Sequence, residues 1–102
     1  MLLLAGVLMR IVRWTEPALA DLIENQNYYE GVNPKAAQIL AQRAWDASQR
    51  LGENPGIGRE GHVDGTQEWV VQKSPYILVY RVRPEQVEIL HVYHDRQDWQ
   101  SG

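Results

Sequence analysis

The stretch from Tyr76 to His94 constrains the fold more than any other part of this chain. It reads Tyr-Ile-Leu-Val-Tyr-Arg-Val-Arg-Pro-Glu-Gln-Val-Glu-Ile-Leu-His-Val-Tyr-His. Two runs rich in β-branched and aromatic residues flank Arg83-Pro84-Glu85-Gln86, whose proline cannot continue a ladder. A four-residue loop there sets Val82 opposite Val87. One face then pairs Ile77 with Val92, Val79 with Leu90 and Arg81 with Glu88. The other pairs Tyr76 with Tyr93, Leu78 with His91, Tyr80 with Ile89 and Val82 with Val87. Apolar pairs and an opposite-charge pair fall together, as cross-strand neighbours do in a stable sheet. A slip of one residue would scramble both faces. The pattern predicts that the aliphatic face (Ile77, Val79, Leu90, Val92) lies under helices. The face with Tyr76, Tyr80, His91 and Tyr93 is then the one that meets a partner.

A chain of 102 residues has material for one modest core. Its hydrophobic content of 44% is that of a globular protein. The absence of cysteine excludes disulfides, thiolate metal sites and cysteine nucleophiles, and fits a cytoplasmic protein. A net charge of −3, with ten Lys and Arg residues scattered along the chain, argues against a dedicated nucleic-acid binder.

Met1 to Leu8 is apolar, too short to span a bilayer, and lacks the charged start and cleavage site of a signal peptide. It reads as an N-terminal extension (1–8) ahead of a single domain (9–102). Arg10 to Trp14 reads as a strand. Thr15 as N-cap, with Glu16 and Pro17 in the first turn, starts a helix that Gly31-Val32 should break near Tyr29. Asn33-Pro34 repeats the start signal for a second helix, rich in alanine, with Gly52 expected as its C-terminal cap. Asn54-Pro55-Gly56 stops it. The glycine-rich stretch from Gly56 to Gly65 lacks the spacing and Lys-Ser or Lys-Thr pair of a phosphate loop. It leaves room for an edge strand near Glu60 to Val63. Gln67 to Gln72 reads as a further strand, and Lys73-Ser74-Pro75 turns it into the hairpin. The order strand, helix, helix, then three or four strands predicts a two-layer α+β domain, β-α-α-β-β-β(-β), with a helical hairpin on a mostly antiparallel sheet.

Arg10-Ile-Val-Arg-Trp-Thr-Glu-Pro-Ala-Leu-Ala-Asp-Leu resembles the opening strand and first helix of the RelE/ParE superfamily of bacterial toxins. Asn54-Pro-Gly-Ile-Gly-Arg-Glu-Gly resembles its loop after the helices. Tyr76 to Val82, Val87 to His94 and Asp98-Trp99 resemble its closing hairpin and tail. The resemblance implies the toxin half of a type II toxin–antitoxin module. The partner it implies is a cognate antitoxin, in a possible hetero-oligomer away from the membrane. ParE-like members of this superfamily act on DNA gyrase, whereas RelE-like members cut messenger RNA on the ribosome. Tyr80-Arg81-Val82 and Val87-Glu88-Ile89-Leu90 are more similar to the ParE side. A degenerate member that only binds antitoxin is a third reading.

Metal-free RNA cleavage needs a base, an acid and cations for the phosphate. Arg59, Arg81, Tyr93 and His94 are the candidates, with Glu68 as an alternative base. Each also has a plainer role. Arg81 can pair with Glu88 across the strands, Arg59 can be solvated in its loop, and His94 can be a hydrogen-bonded strand end. Tyr93 and Tyr76 can stack on each other. His91 and His94 are three apart and point to opposite faces, which is no metal signature, so neither metal nor cofactor is expected. The sequence thus favours a binding inhibitor over a nuclease. Of the four tryptophans, Trp14 and Trp69 suit a core. The antitoxin surface is expected to draw on Trp45, Trp99, Tyr28 and the sheet end at Trp14. With an acidic toxin, its affinity should rest on apolar burial and depend little on salt.

Overall fold

The computed structural model describes residues 2–4 and 7–94. Leu2–Leu4 (β1) and Val7–Met9 (β2) form an antiparallel hairpin of their own, pairing Leu2 with Met9 and Leu4 with Val7. The remaining strands are Ile11–Trp14 (β3), Arg59–Glu60 (β4), Gln67–Val70 (β5), Tyr76–Val82 (β6) and Gln86–His94 (β7). They form one five-stranded sheet in the order β3-β7-β6-β5-β4. β3 runs parallel to β7, and every other pair is antiparallel. Two helices, Glu16–Val32 (α1) and Pro34–Glu53 (α2), pack against each other and cover one face. The two-layer α+β architecture expected from the sequence is therefore the one observed. Among the described residues, no helix is long and apolar enough to cross a membrane.

The helix starts follow the sequence signals. Thr15 accepts from the Ala18 amide at 3.3 Å, and its own hydroxyl donates to the Ile89 carbonyl at 2.8 Å. One residue thus caps α1 and ties it to β7. The break between the helices differs from expectation: α1 continues through Gly31 and Val32. The stop comes from Pro34, which drives the residue before it out of helical dihedrals. Asn33 sits at φ −159°, caps α1 through its amide to Tyr29, and caps α2 through its side chain to Ala36. Gly52, expected as a cap, lies inside α2, and Asn54 is the C-cap. A β-carbon on Gly52 would stand 2.5 Å from the Arg10 carbonyl oxygen. Glycine is there because the chain entering β3 crosses the helix at this point, where the Arg10 amide donates to the Gly52 carbonyl.

The central hairpin holds the expected register for Val82–Val87, Arg81–Glu88 and Tyr80–Ile89. A bulge then shifts it, setting Val79 against His91, Leu78 against Val92, Ile77 against Tyr93 and Tyr76 against His94. Leu90 is the extra residue. On β6 the face assignment is inverted, whereas beyond the bulge Val92 enters the core and His91 and Tyr93 face away from the helices, as expected. Tyr76, Leu78, Tyr80, Val87 and Ile89 are fully buried in the core with Ala18, Leu40, Ala44 and Leu51. Aliphatic character misled here, because a tyrosine can enter a core when its hydroxyl finds partners. Tyr80 does so, donating to the Pro55 carbonyl at 2.7 Å and accepting from the Gly58 amide at 3.0 Å. β4 covers only Arg59–Glu60, and β5 ends at Val70 rather than Gln72.

Candidate functional site

Strand alternation decides which side chains share the face turned away from the helices. From the observed pairings that face carries Arg13 of β3, Glu88 and Tyr93 of β7, Arg81 of β6, Glu68 of β5 and Arg59 of β4. Arginines therefore collect on this side of a chain whose net charge is −3. Two glutamates organise them. The Glu88 carboxylate accepts from Arg13 Nη2 at 2.6 Å and from Arg83 Nε at 3.1 Å. These bonds, Arg13's first and then Arg83's, hold its carboxyl below the usual range. Glu68 is 3% exposed. Its Oε2 meets His62 Nδ1 at 2.8 Å and its Oε1 accepts from Arg59 Nη2 at 3.1 Å. The His62 hydrogen bond, followed by that from Arg59, keeps its carboxyl low although burial pushes the other way.

Arg81 stands backbone-to-backbone with Glu88, as expected, but the carboxylate is taken by Arg13 and Arg83. Arg81 is half-buried, and among the described residues it has no ion pair or side-chain hydrogen bond. Arg59, read as a solvated loop residue, is bound to Glu68 instead. With both oxygens engaged and its carboxyl held ionised, Glu68 has little capacity as a proton shuttle. Tyr93 is half exposed and stacks on His91, with ring centroids 6.2 Å apart, rather than on Tyr76. His94 falls on the helix side. Its Nε2 lies 2.6 Å from the Tyr29 hydroxyl, and its ring meets the edge of buried Tyr76. Burial pushes the Tyr76 hydroxyl up to about 12. The structure thus brings Arg81 and Tyr93 to one face, leaves Arg59 at the far edge of that face, and puts His94 on the opposite one.

The residues expected to meet a partner separate into two places. Trp14 and Trp45 stack with centroids 6.1 Å apart and planes inclined by 21°. Trp14 donates to the Ser48 hydroxyl, which donates to the Trp45 carbonyl. This chain of contacts leaves Trp45 46% exposed on the helical layer. Tyr28, also exposed, packs edge-on to Tyr29 near the far end of α1, about 20 Å along the helix from Thr15. Trp99 and Asp98 lie outside the described residues. Sequence reasoning missed Arg13, Arg83 and Asp21. The first two could have been found by extending the two-residue alternation from Glu88 to the strand beside it. Asp21 accepts from the Val92 amide and contacts His91 Nδ1, which satisfies β7 where β3 no longer reaches. That role depends on topology, and no local signal announces it.

Two helices on a mixed sheet of this strand order make up the fold of the RelE/ParE superfamily of toxins. Residues 12–99 match the ParE toxin of the type II toxin–antitoxin system parDE. The chain belongs to this family. It is similar to the Y4kP protein of Sinorhizobium fredii, at 41% identity over 86% of this chain and 91% of that protein. It is also similar to toxin RelE2 of Caulobacter vibrioides, at 36% identity over 84% of this chain and 96% of that one. Among solved structures it resembles a chain of the chromosomal ParDE system of P. aeruginosa, with a TM-score of 0.79, 25% identity, and coverage of 86% of this chain and 98% of that one. It resembles a chain of the RelBE2 toxin–antitoxin complex of Mycobacterium tuberculosis less closely, with a TM-score of 0.60, 26% identity, and coverage of 85% and 92%.

Proposed function

We propose that this type II toxin inhibits DNA gyrase by binding, without chemistry of its own, and is neutralised by a cognate antitoxin. The observation that carries the reading is the dispersal of the candidate catalytic groups. Cleavage requires base, acid and cation within hydrogen-bonding reach of one phosphate. Here His94 is engaged with Tyr29 behind the sheet, while Arg81 and Tyr93 stand in front of it. Arg59 is bound to a buried carboxylate. A second reading, ribosome-dependent cleavage of messenger RNA, is favoured by the arginines that collect on the front face. Adding the purified chain to a gyrase supercoiling assay and to a cell-free translation assay separates the two. Loss of supercoiling with translation intact is expected. Messenger RNA cleavage with supercoiling intact would overturn the proposal.

Antitoxin binding on the helical layer is supported by the half-exposed Trp45 over Trp14. A large aromatic surface that a soluble domain leaves open suits burial by a segment that orders on contact. Trp45→Ala should weaken the complex by ~1 kcal/mol or more in a calorimetric titration.

A further inference from the structure

The front face holds more cations than its own carboxylates use. Arg13, Glu88 and Arg81 stand in one row across β3, β7 and β6, roughly 10 Å from end to end. In the next row His91, Val79, Glu68 and Arg59 follow one another from β7 to β4. Arg83 adds a further guanidinium from the hairpin loop. The carboxylates lie underneath. The Glu88 and Glu68 side chains are 13% and 4% exposed, whereas those of Arg13, Arg83 and Arg59 are each more than half exposed. What the face presents to solvent is therefore guanidinium, held in place from below. Each guanidinium has several N–H donors, and Glu88 engages one from Arg13 and one from Arg83. Arg81, at the end of the first row, has no ion pair or side-chain hydrogen bond among the described residues.

The helical layer has the opposite sign at α1, which contains Glu16, Asp21, Glu24 and Glu30 and neither Lys nor Arg. The chain as a whole carries −3. An extended polyanion is repelled by such a molecule, whereas a compact acidic patch meets only its basic front. Arginines braced by carboxylates lose little side-chain freedom on binding, and arginine is among the residues that contribute most at protein contacts. His91 and Tyr93, stacked on each other at the margin of the array, add an amphipathic surface of the kind that protein contacts bury. We infer that the front face, centred on Arg81, docks on a carboxylate-rich surface of the target protein, an inference that rests on the gyrase reading above. The acidic α1 is then turned away from the target, and the stacked Trp14 and Trp45 lie outside the contact.

Calorimetric titration of the full chain into DNA-free gyrase tests the inference, with a short DNA duplex titrated separately. Arg81→Glu should weaken gyrase binding by about tenfold or more. Arg83→Gln, in the exposed hairpin loop, should weaken it several-fold while keeping the melting temperature of the wild type. Lys35→Glu makes the same charge change as Arg81→Glu on the exposed first turn of α2, and should bind as the wild type does. Wild-type affinity should also fall as salt is raised, because exposed cations facing carboxylates are screened. Undiminished binding by Arg83→Gln, or by a folded Arg81→Glu, would overturn the docking face while sparing the gyrase reading. So would an equal loss from Lys35→Glu, which would reduce the effect to net charge. Tighter binding of the duplex than of gyrase, abolished by Arg81→Glu, would assign the face to nucleic acid and overturn the inference in that way. Absence of gyrase binding by the wild type would remove the gyrase reading, and the docking face with it.

Discussion

On the helix side of β6 and β7, Tyr76, Leu78, Tyr80, Val87 and Ile89 are fully buried. On the other side the same two strands present Arg81, Glu88, His91 and Tyr93. The backbone is common to both, so the difference lies in what each face asks of a side chain. The helix side is specified by shape. Its polar engagements are few, and that of Tyr80 with Pro55 and Gly58 also fixes the loop below it. The front is specified by charge and hydrogen bonding, with Glu88 held between Arg13 and Arg83 and Glu68 between Arg59 and His62. A surface of paired charges tolerates substitution better than a packed one, because exposed pairs contribute little to stability and water can replace a lost partner. Functional change can therefore be confined to the front without loss of the fold.

The largest test of this contrast places the same charge on each side. Leu78→Asp buries an unpaired carboxylate under the helices, at a cost comparable to the whole stability of a domain this size. Cooperative unfolding should disappear from its circular dichroism melt. Tyr93→Asp, on the half-exposed front, should move the midpoint by less than about 4 °C. Equal damage from the two would mean that the faces are not different in kind. The next test changes shape alone. Gly52→Ala adds one methyl group where the backbone of Arg10 is already in the way. Overpacking of this kind costs roughly 1–3 kcal/mol, and thermal denaturation should show it clearly.

The contrast also explains which parts of the structure could be read from the sequence. The element order, the Thr15 and Asn33 caps and the first three hairpin pairs follow from local rules, since capping and cross-strand pairing involve neighbours in sequence or across one turn. Apart from the end of α1, which neighbouring Pro34 sets, what failed depends on distant partners. The bulge at Leu90 becomes visible only when β7 must both pair with β6 and satisfy Asp21 of α1. The burial of Tyr80 depends on a loop 25 residues earlier in the chain. In the same way, the front-face network joins Arg13 to Glu88 across 75 residues and two elements. The residues named for catalysis were individually reasonable, but one error in register moved His91 and His94 relative to their supposed neighbours.

The charged front makes a third prediction, smaller and dependent on pH. Glu68 is ordinarily a group of pKa 4.5, lowered in the folded chain by His62 and Arg59. A depressed folded pKa means that the unfolded state binds the proton more readily, so acid favours unfolding. The stability from Glu68 is fully present above pH 4.5 and is lost as the pH falls through the lower folded value. Glu68→Gln should be less stable than wild type at neutral pH, and the gap should close on acidification. Glu88→Gln should do the same more weakly, because the Glu88 side chain is itself more open to solvent, at 13% against 4% for Glu68. A gap that stays constant across the acid range would show that Glu68 acts through packing instead.

The smallest effect is expected from the segment that belongs to neither face. Among the described residues, β1 and β2 pair only with each other, and neither joins the five-stranded sheet. The chain is fastened to the domain just after them. The Arg10 amide donates to Gly52, Arg10 Nε to the Arg83 carbonyl, and the Ile11 amide to Glu85. Each of these bonds survives when the chain begins at Met9. The match to the ParE family begins later still, at residue 12. A two-stranded hairpin contributes little cooperative stability by itself. Removal of Met1 to Leu8 should therefore shift the thermal midpoint by no more than a few degrees, since ~1 kcal/mol corresponds to about 4–8 °C in a domain of this size. The contact between β2 and α2 is a route by which the loss would be larger. A drop beyond about 8 °C would make the hairpin a third layer of the core rather than an extension.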